Sequence, residues 1–133
     1  MLTALQMTSV LDAGPVYCKK PLDLTGSAEE IFCRAALLSA QMMTEIVAHE
    51  PEPVPQEGEV TVFARRKPSQ SEVPQDATPD ALYDHIRMLD ATGYPHAYMQ
   101  HGNWRAHFTG ARLVGNTVET RAVFKEFRPE ETR

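Results

Sequence analysis

Apolar and polar positions sort the chain into two short strand-like runs, one long helical stripe, and a later stretch that alternates a shorter helix with paired strands. Leu2, Ala4, Leu5 and Met7 form a mostly apolar run broken by Thr3 and Gln6, and Pro15-Val16-Tyr17-Cys18 reads as a second short strand. Asp12-Ala13-Gly14-Pro15 between them predicts a turn, because Gly14 tolerates positive φ and Pro15 fixes its own φ and bars helix at the residue before it. Ser27 and Glu30 have the spacing of a capping box. From there Ala28, Ile31, Phe32, Ala35, Leu38, Met42, Ile46 and Val47 recur at three- and four-residue steps, which places one apolar stripe on a helix of about six turns. Phe32, Met42 and Met43 at that spacing read as core rather than as a ligand pocket.

The helix must end near His49, because Pro51, Pro53 and Pro55 remove successive donors and favour extended backbone. Residues 50–58 therefore read as a semi-rigid linker. Val60-Thr61-Val62-Phe63-Ala64 alternates and is rich in β-formers, which predicts a strand running into Arg65-Arg66-Lys67-Pro68. Residues 69–79 are polar and proline-punctuated, an irregular surface loop. Thr78-Pro79 has the form of an N-cap followed by proline at the first helical position, and Leu82, Ile86 and Leu89 supply the buried stripe of the second helix. Residues 97–108 read as a β-hairpin turning at Gly102-Asn103, with Trp104 packed on its face. A further turn at Gly115-Asn116 leads to a last strand over Val118 to Phe124, and from Lys125 the charged tail should fray.

Length and charge narrow the classes. The chain has 133 residues and a formal charge of −5, enough for at most one ordinary domain that buries roughly two thirds of its unfolded surface. The acidity is uneven, with 3 Lys/Arg against 8 Asp/Glu in residues 1–58 and 10 against 10 from residue 59 onward. A nonspecific nucleic-acid binder needs a cationic surplus that this balance lacks, although a local basic patch is compatible with it. Cys18 and Cys33 stand apart with no metal-ligand spacing, which implies reduced thiols in a cytoplasmic chain. No stretch is expected to reach the apolar length of a membrane span, and the N-terminus lacks signal-peptide features. His96, His101 and His107 recur at five- and six-residue steps that match no common ligand pattern, so no metal is expected.

By spacing alone Asp12 is either a turn residue whose carboxylate bonds its own backbone or a site carboxylate, and spacing favours the first. The run Met7-Thr8-Ser9-Val10-Leu11-Asp12-Ala13-Gly14-Pro15-Val16 resembles the methionine-threonine-x-x-leucine-aspartate-x-glycine segment of the 10-formyltetrahydrofolate-dependent formyltransferases, the family of methionyl-tRNA formyltransferase and the sugar-nucleotide N-formyltransferases. A second likeness starts at Val62-Phe63-Ala64-Arg65-Arg66-Lys67-Pro68, similar to the aromatic-x-arginine-arginine-x-proline stretch that opens the family's C-terminal domain. Leu82 to Leu89 and Gly93 to Tyr98 follow in order and resemble that domain's isoleucine-arginine helix and proline-x-alanine-aromatic strand. The likeness covers residues 3 to about 113.

The resemblance implies an α/β chain. Residues 1–50 would be the remnant of a Rossmann-like formyltransferase catalytic domain, strands plus the long helix. Residues 51–58 would be a proline-rich linker, 59–124 a shortened α+β C-terminal domain with helix and hairpin, and 125–133 a frayed tail. It also implies that Asp12 is one of three catalytic polar residues and that the donor, 10-formyltetrahydrofolate, rests its pterin on the backbone of Ser9, Val10 and Leu11 beside Asp12. The family's asparagine-x-histidine motif has no counterpart, since no His here has an Asn two positions before it. The chain is thus expected to be the C-terminal, truncated part of an N-formyltransferase of one-carbon metabolism, inactive alone because formyl transfer needs a cooperating set of a proton acceptor and oxyanion donors. Arg65, Arg66 and Lys67 would meet acceptor phosphates, whose oxygens guanidinium groups bind in pairs, or else form a solvated strand end. The acceptor amine lies on an amino-sugar nucleotide or on methionyl-tRNA. The alternative is a noncatalytic binding or assembly module, self-associating or docking on a missing N-terminal half through uncovered strand edges and helix face.

Overall fold

The computed structural model describes residues 1–127, which form two compact units. The first comprises Met1–Thr25 with Glu30–Ala64, and the second Gly26–Glu29 with Arg65 onward. Helix and strand are mixed in small sheets.

In the first unit, β1 (Leu2–Leu5) and β2 (Val16–Lys20) pair antiparallel, with Leu2 opposite Lys20, Ala4 opposite Cys18 and a bulge between Ala4 and Leu5. Both strands fall where the apolar runs place them. The proline-rich stretch is extended, as its fixed φ values require, and it is fastened to β2: Val16 N donates to Val54 O at 2.7 Å and Val54 N donates back to Val16 O at 2.9 Å. The compact unit accordingly continues through Ala64.

The long helix α1 spans Ala28–His49, starting one residue after Ser27. Glu50 closes it in the left-handed region, at φ 43°, just before Pro51 forbids continuation. Ala28, Ile31 and Met42 of the stripe are buried and Ala35, Leu38 and Ile46 half-buried, whereas Phe32 and Val47 are exposed. Leu37 and Met43, outside the stripe, are exposed as well, so α1 is apolar on more than the one face. This corrects the expectation that no stretch reaches a membrane span: by length and composition α1 does, with an 18-residue window of mean hydropathy 1.3. Core helices of water-soluble proteins pass the same test. Upstream, Thr25 donates to the Asp23 carboxylate from its backbone N and its hydroxyl, which holds that carboxyl below its ordinary 3.8.

Residues 60–64 do not form the expected strand. Val60, Val62 and Phe63 are almost fully exposed and no segment among the described residues pairs with them; alternation describes a surface that fits a sheet, and a strand needs a neighbour to bond.

The second unit opens with a 3-10 turn over Pro68–Ser71, a regular piece inside the stretch expected to be irregular. Helix α2 (Pro79–Arg87) is capped by Thr78, whose Oγ1 accepts from Ala81 N at 3.3 Å. Then β3 (Tyr98–His101), β4 (Trp104–Val114) and β5 (Thr117–Glu126) form an antiparallel sheet in the order β3-β4-β5, turning at Gly102-Asn103 and Gly115-Asn116 as the glycines predict. A bulge between Thr109 and Arg112 contains Gly110 at φ 62°, whose N–H donates to the Asp90 carboxylate at 2.7 Å. Ile86, Leu89 and Ala97 are the buried centre, with Val73, Leu82, Phe108, Ala111 and Val118 packed around them. The start of α1 counts with this unit because Glu29 N donates to Asp90 O at 3.0 Å and Arg87 Nη1 to Gly26 O at 2.9 Å.

Two expectations at the C-terminal end are corrected. Lys125 and Glu126 do not fray: they lie in β5 opposite Arg105 and Trp104, and Phe127 N donates to Asn103 O at 2.7 Å. The rest of the expected tail, 128–133, lies outside the described residues. Trp104 is more than half exposed rather than packed, whereas Arg105 is the residue enclosed by rings, 4.2 Å from the Tyr98 centroid and 3.9 Å from that of Phe127.

His107 on β4 is held below its ordinary 6.5 by burial first, then by the charges of Lys125, Arg105 and His96. The unfolded chain therefore takes up this proton more readily than the folded one. Stability is unaffected by the group above about pH 6.5 and falls as pH drops below it. His107→Gln is expected to flatten that acid-side slope in denaturant titrations run between neutral and mildly acidic pH; an unchanged slope would place the proton uptake elsewhere.

Candidate functional site

Asp12 occupies the loop between β1 and β2, and its conformation is unusual. Its φ is 56°, in the left-handed region that aspartate enters more readily than most residues with a Cβ. Gly14, to which the sequence assigns the positive φ, is not in that region; it is needed for another reason. A Cβ on Gly14 would lie 1.7 Å from Gln6 O, so only glycine lets the two arms of the loop come this close. Gln6 N donates to Pro15 O at 2.9 Å and closes the loop's base.

Gln56, from the proline-rich stretch, holds the bend from outside. Its Nε2 donates to Asp12 O at 2.8 Å and to Gly14 O at 2.7 Å. Sequence reasoning missed this residue, because nothing in a local pattern links positions more than forty apart. The Asp12 carboxylate is exposed, at the edge of a groove of about 140 Å³ lined also by Leu5, Gln6, Met7, Thr8, Val10, Leu11 and Gly14. Val10 and Leu11 are among its lining residues, with Leu11 89% exposed, whereas Ser9 lies in the same loop outside the lining.

A second concavity belongs to the second unit. Its volume is about 430 Å³, and Arg65, Arg66 and Lys67 line it together with Pro68, Ser71, Leu89, Tyr94 and Pro95. The structure thus brings the three candidate cations into the lining of one cavity. The 3-10 turn positions them: Gln70 N donates to Lys67 O at 3.0 Å, Lys67 N to Gln70 Oε1 at 2.6 Å, and Arg66 Nη2 to Gln70 O at 2.6 Å. The buried Ser71 ties two further lining segments together, its Oγ donating to Pro95 O at 3.3 Å, while His85 Nε2 donates to Ser71 O at 3.3 Å. No carboxylate lines this cavity. Ser71, Leu89, Tyr94 and Pro95 were not legible as site residues, since only the folded chain carries them to the cations. His96 is engaged structurally, Nδ1 donating to Leu89 O at 3.1 Å. Among the described residues no cluster of three His, Cys, Asp or Glu side chains has the arrangement to hold a metal.

Residues 68–125, from the 3-10 turn to the last paired residues of β5, match the family described as methionyl-tRNA formyltransferase, C-terminal domain. The solved structure of methionyl-tRNA formyltransferase from Clostridium thermocellum resembles the chain with a TM-score of 0.90 and 40% sequence identity, over 94% of this chain. These two matches support the formyltransferase family for this chain. Agreement in sequence and in backbone over nearly the whole length is what unrelated chains of shared fold do not show. The chain spans 56% of that relative, about half its length. A comparison with curated proteins gives no match. Both regions of the chain that carry candidate chemistry, the Asp12 loop and the basic cavity, lie in stretches that the sequence resemblance singles out.

Proposed function

We propose that the chain carries the aspartate loop and the C-terminal domain of a 10-formyltetrahydrofolate-dependent N-formyltransferase whose acceptor is of the methionyl-tRNA type, working in the cytoplasm. In this reading β1, β2 and α1 belong to its Rossmann-like catalytic domain, residues 51–58 connect to the C-terminal domain, and the 133 residues alone do not turn over. The observation that carries the reading is the construction of the Asp12 loop. A carboxylate is presented to solvent on strained backbone, held by Gln56 and by the Gly14–Gln6 approach, beside exposed Val10 and Leu11.

The residues fit the folate donor as one wall of its site. Leu11 and Val10 offer apolar surface to a flat ring, and a groove of about 140 Å³ is smaller than the roughly 300–1,000 Å³ of complete small-ligand sites. The donor supplies the formyl group. Asp12 would orient and electrostatically stabilise a neighbouring histidine as it takes up the acceptor amine's proton, a role that a carboxylate performs only beside that partner. Without asparagine-x-histidine the set is incomplete in this polypeptide.

The test replaces the matching segment of the C. thermocellum relative with this chain. The chimera is expected to transfer formyl groups, the isolated chain to show no turnover, and Asp12→Ala in the chimera to lower kcat by roughly 10³–10⁴-fold. Turnover that survives Asp12→Ala would remove the role assigned to this residue.

A second reading, a noncatalytic assembly module, draws on the exposed apolar side chains of α1, with Leu37, Met43 and Val47 at 70%, 60% and 77% exposure. Sedimentation over a range of concentrations separates the two: a monomer at every dilution speaks against self-association.

A further inference from the structure

The proline-rich stretch has an alternation that a mere connection does not need. Pro51, Pro53 and Pro55 have no N–H, whereas Glu52, Val54 and Gln56 between them do. In extended backbone successive N–H groups point to opposite sides, so the donors of residues 51–56 gather on one edge and the other edge has none. The edge with donors is the one laid on β2, through the two-way bond between Val16 and Val54 at 2.7 and 2.9 Å. Sliding the stretch by one residue in either direction would set Pro53 or Pro55 opposite Val16 and lose the bond donated to Val16 O. The prolines thus fix the register.

That register delivers one side chain to the loop. The bridge is antiparallel, so two residues beyond Val54 lies Gln56 and two residues before Val16 lies Gly14, which sets Gln56 opposite the Asp12 bend. A primary amide nitrogen carries two hydrogens. Gln56 Nε2 donates to Asp12 O at 2.8 Å and to Gly14 O at 2.7 Å, two carbonyls that converge on one nitrogen only while the bend keeps its present turn. The φ of 56° at Asp12 is part of that turn, and a residue with a Cβ stays there only where its surroundings over-determine it. Among the described residues the Asp12 carboxylate takes no hydrogen bond, so its direction follows from the backbone that carries it.

We propose that residues 51–56 are a positioning strap of the formyl-transfer site, in which Gln56 fixes, through the Asp12 and Gly14 carbonyls, the direction in which the Asp12 carboxylate is presented. This rests on the role proposed above for Asp12. Gln56 meets no reacting atom; it is a positioning residue that acts through Asp12.

Two measurements test it. In the full chain, NMR reads Asp12 directly, because its backbone shifts and HN–Hα coupling follow φ. Gln56→Ala, and Gln56→Glu, whose carboxylate has no N–H to donate, are expected to move the Asp12 and Gly14 resonances and release Asp12 from the left-handed region. Gln56 is exposed, so the thermal midpoint should stay close to the parent's. Val54→Pro, which removes the N–H given to Val16 O, should shift the same resonances although Gln56 is present. In the chimera, Gln56→Ala is expected to lower kcat by about 10- to 100-fold when Asp12 is present and by less than about twofold in the Asp12→Ala background, where nothing is left to position. A general structural weakening would lower both equally.

Unchanged Asp12 resonances in the Gln56 variants, or equal losses with and without Asp12, would overturn the proposal. A chimera indifferent to Asp12→Ala sinks the functional reading itself, whereas one that needs Asp12 but not Gln56 sinks only the strap. The NMR arm requires no turnover, and it decides whether Gln56 sets the bend whatever the chimera does.

Discussion

Gly14→Ala is expected to open the Asp12 loop while leaving every side chain of the groove in the sequence. The added methyl carbon would lie 1.7 Å from the Gln6 carbonyl oxygen and 2.9 Å from its carbon, and both obstructing atoms are backbone. No rotamer relieves that overlap, so one arm of the loop must move away from the other. Over-packing of this kind typically costs about 1–3 kcal/mol. The loss should be local before it is global: the hydrogen bond from Gln6 N to Pro15 O closes the two arms, and its amide should exchange much faster in the variant. Gln56 would lose the paired geometry of Asp12 O and Gly14 O, which its single amide group now serves at 2.8 and 2.7 Å. In the chimeric enzyme the expected result is a fall in kcat although Asp12 itself is present. Unaltered Gln6 exchange and stability would show that the loop tolerates a Cβ and that its shape is not set by this approach.

Ile86→Ala is expected to be the most damaging substitution in the second unit. Ile86 is 1% exposed and joins α2 to Leu89, Ala97 and the surrounding Val73, Phe108 and Val118. Removing three carbons from such a site costs about 2–5 kcal/mol, transfer and residual cavity together, whereas Ile86→Val should cost about 0.5–1.5 kcal/mol. Against a total stability on the order of 5–15 kcal/mol, the larger loss leaves the unit close to its unfolding threshold. The chain's single tryptophan, Trp104 on β4, reports this unit, and its fluorescence in a urea titration reads the change. A midpoint shift for Ile86→Ala no greater than that for Ile86→Val would mean that the core collapses around the vacancy.

The elements were legible wherever neighbouring residues decide them. Thr78-Pro79 starts α2, Gly102-Asn103 and Gly115-Asn116 turn the sheet, and prolines after His49 stop α1. Each is a matter of φ, a missing donor or a local cap. Where the outcome depends on a partner, the pattern misled. Val60 to Ala64 alternates well and finds no strand to bond among the described residues, while Lys125 and Glu126 read as a charged tail and are paired because β4 runs opposite them. Asp12 was picked out by resemblance, and the reason for its neighbour Gly14 was misread as φ rather than close approach.

By itself the sequence determined both α-helices, the turns of the second sheet, the family resemblance, and the residues with charge or a carboxylate to offer, since short-range stereochemistry and side-chain identity are present in any local window. Only the tertiary structure decided that Gln56 holds the Asp12 bend, that Gly14 lets Gln6 approach, and that Tyr94 and Pro95 line one cavity with Arg65, Arg66 and Lys67. Those pairings join residues from eight to more than forty positions apart, and their energy exists only once the intervening backbone has been ordered.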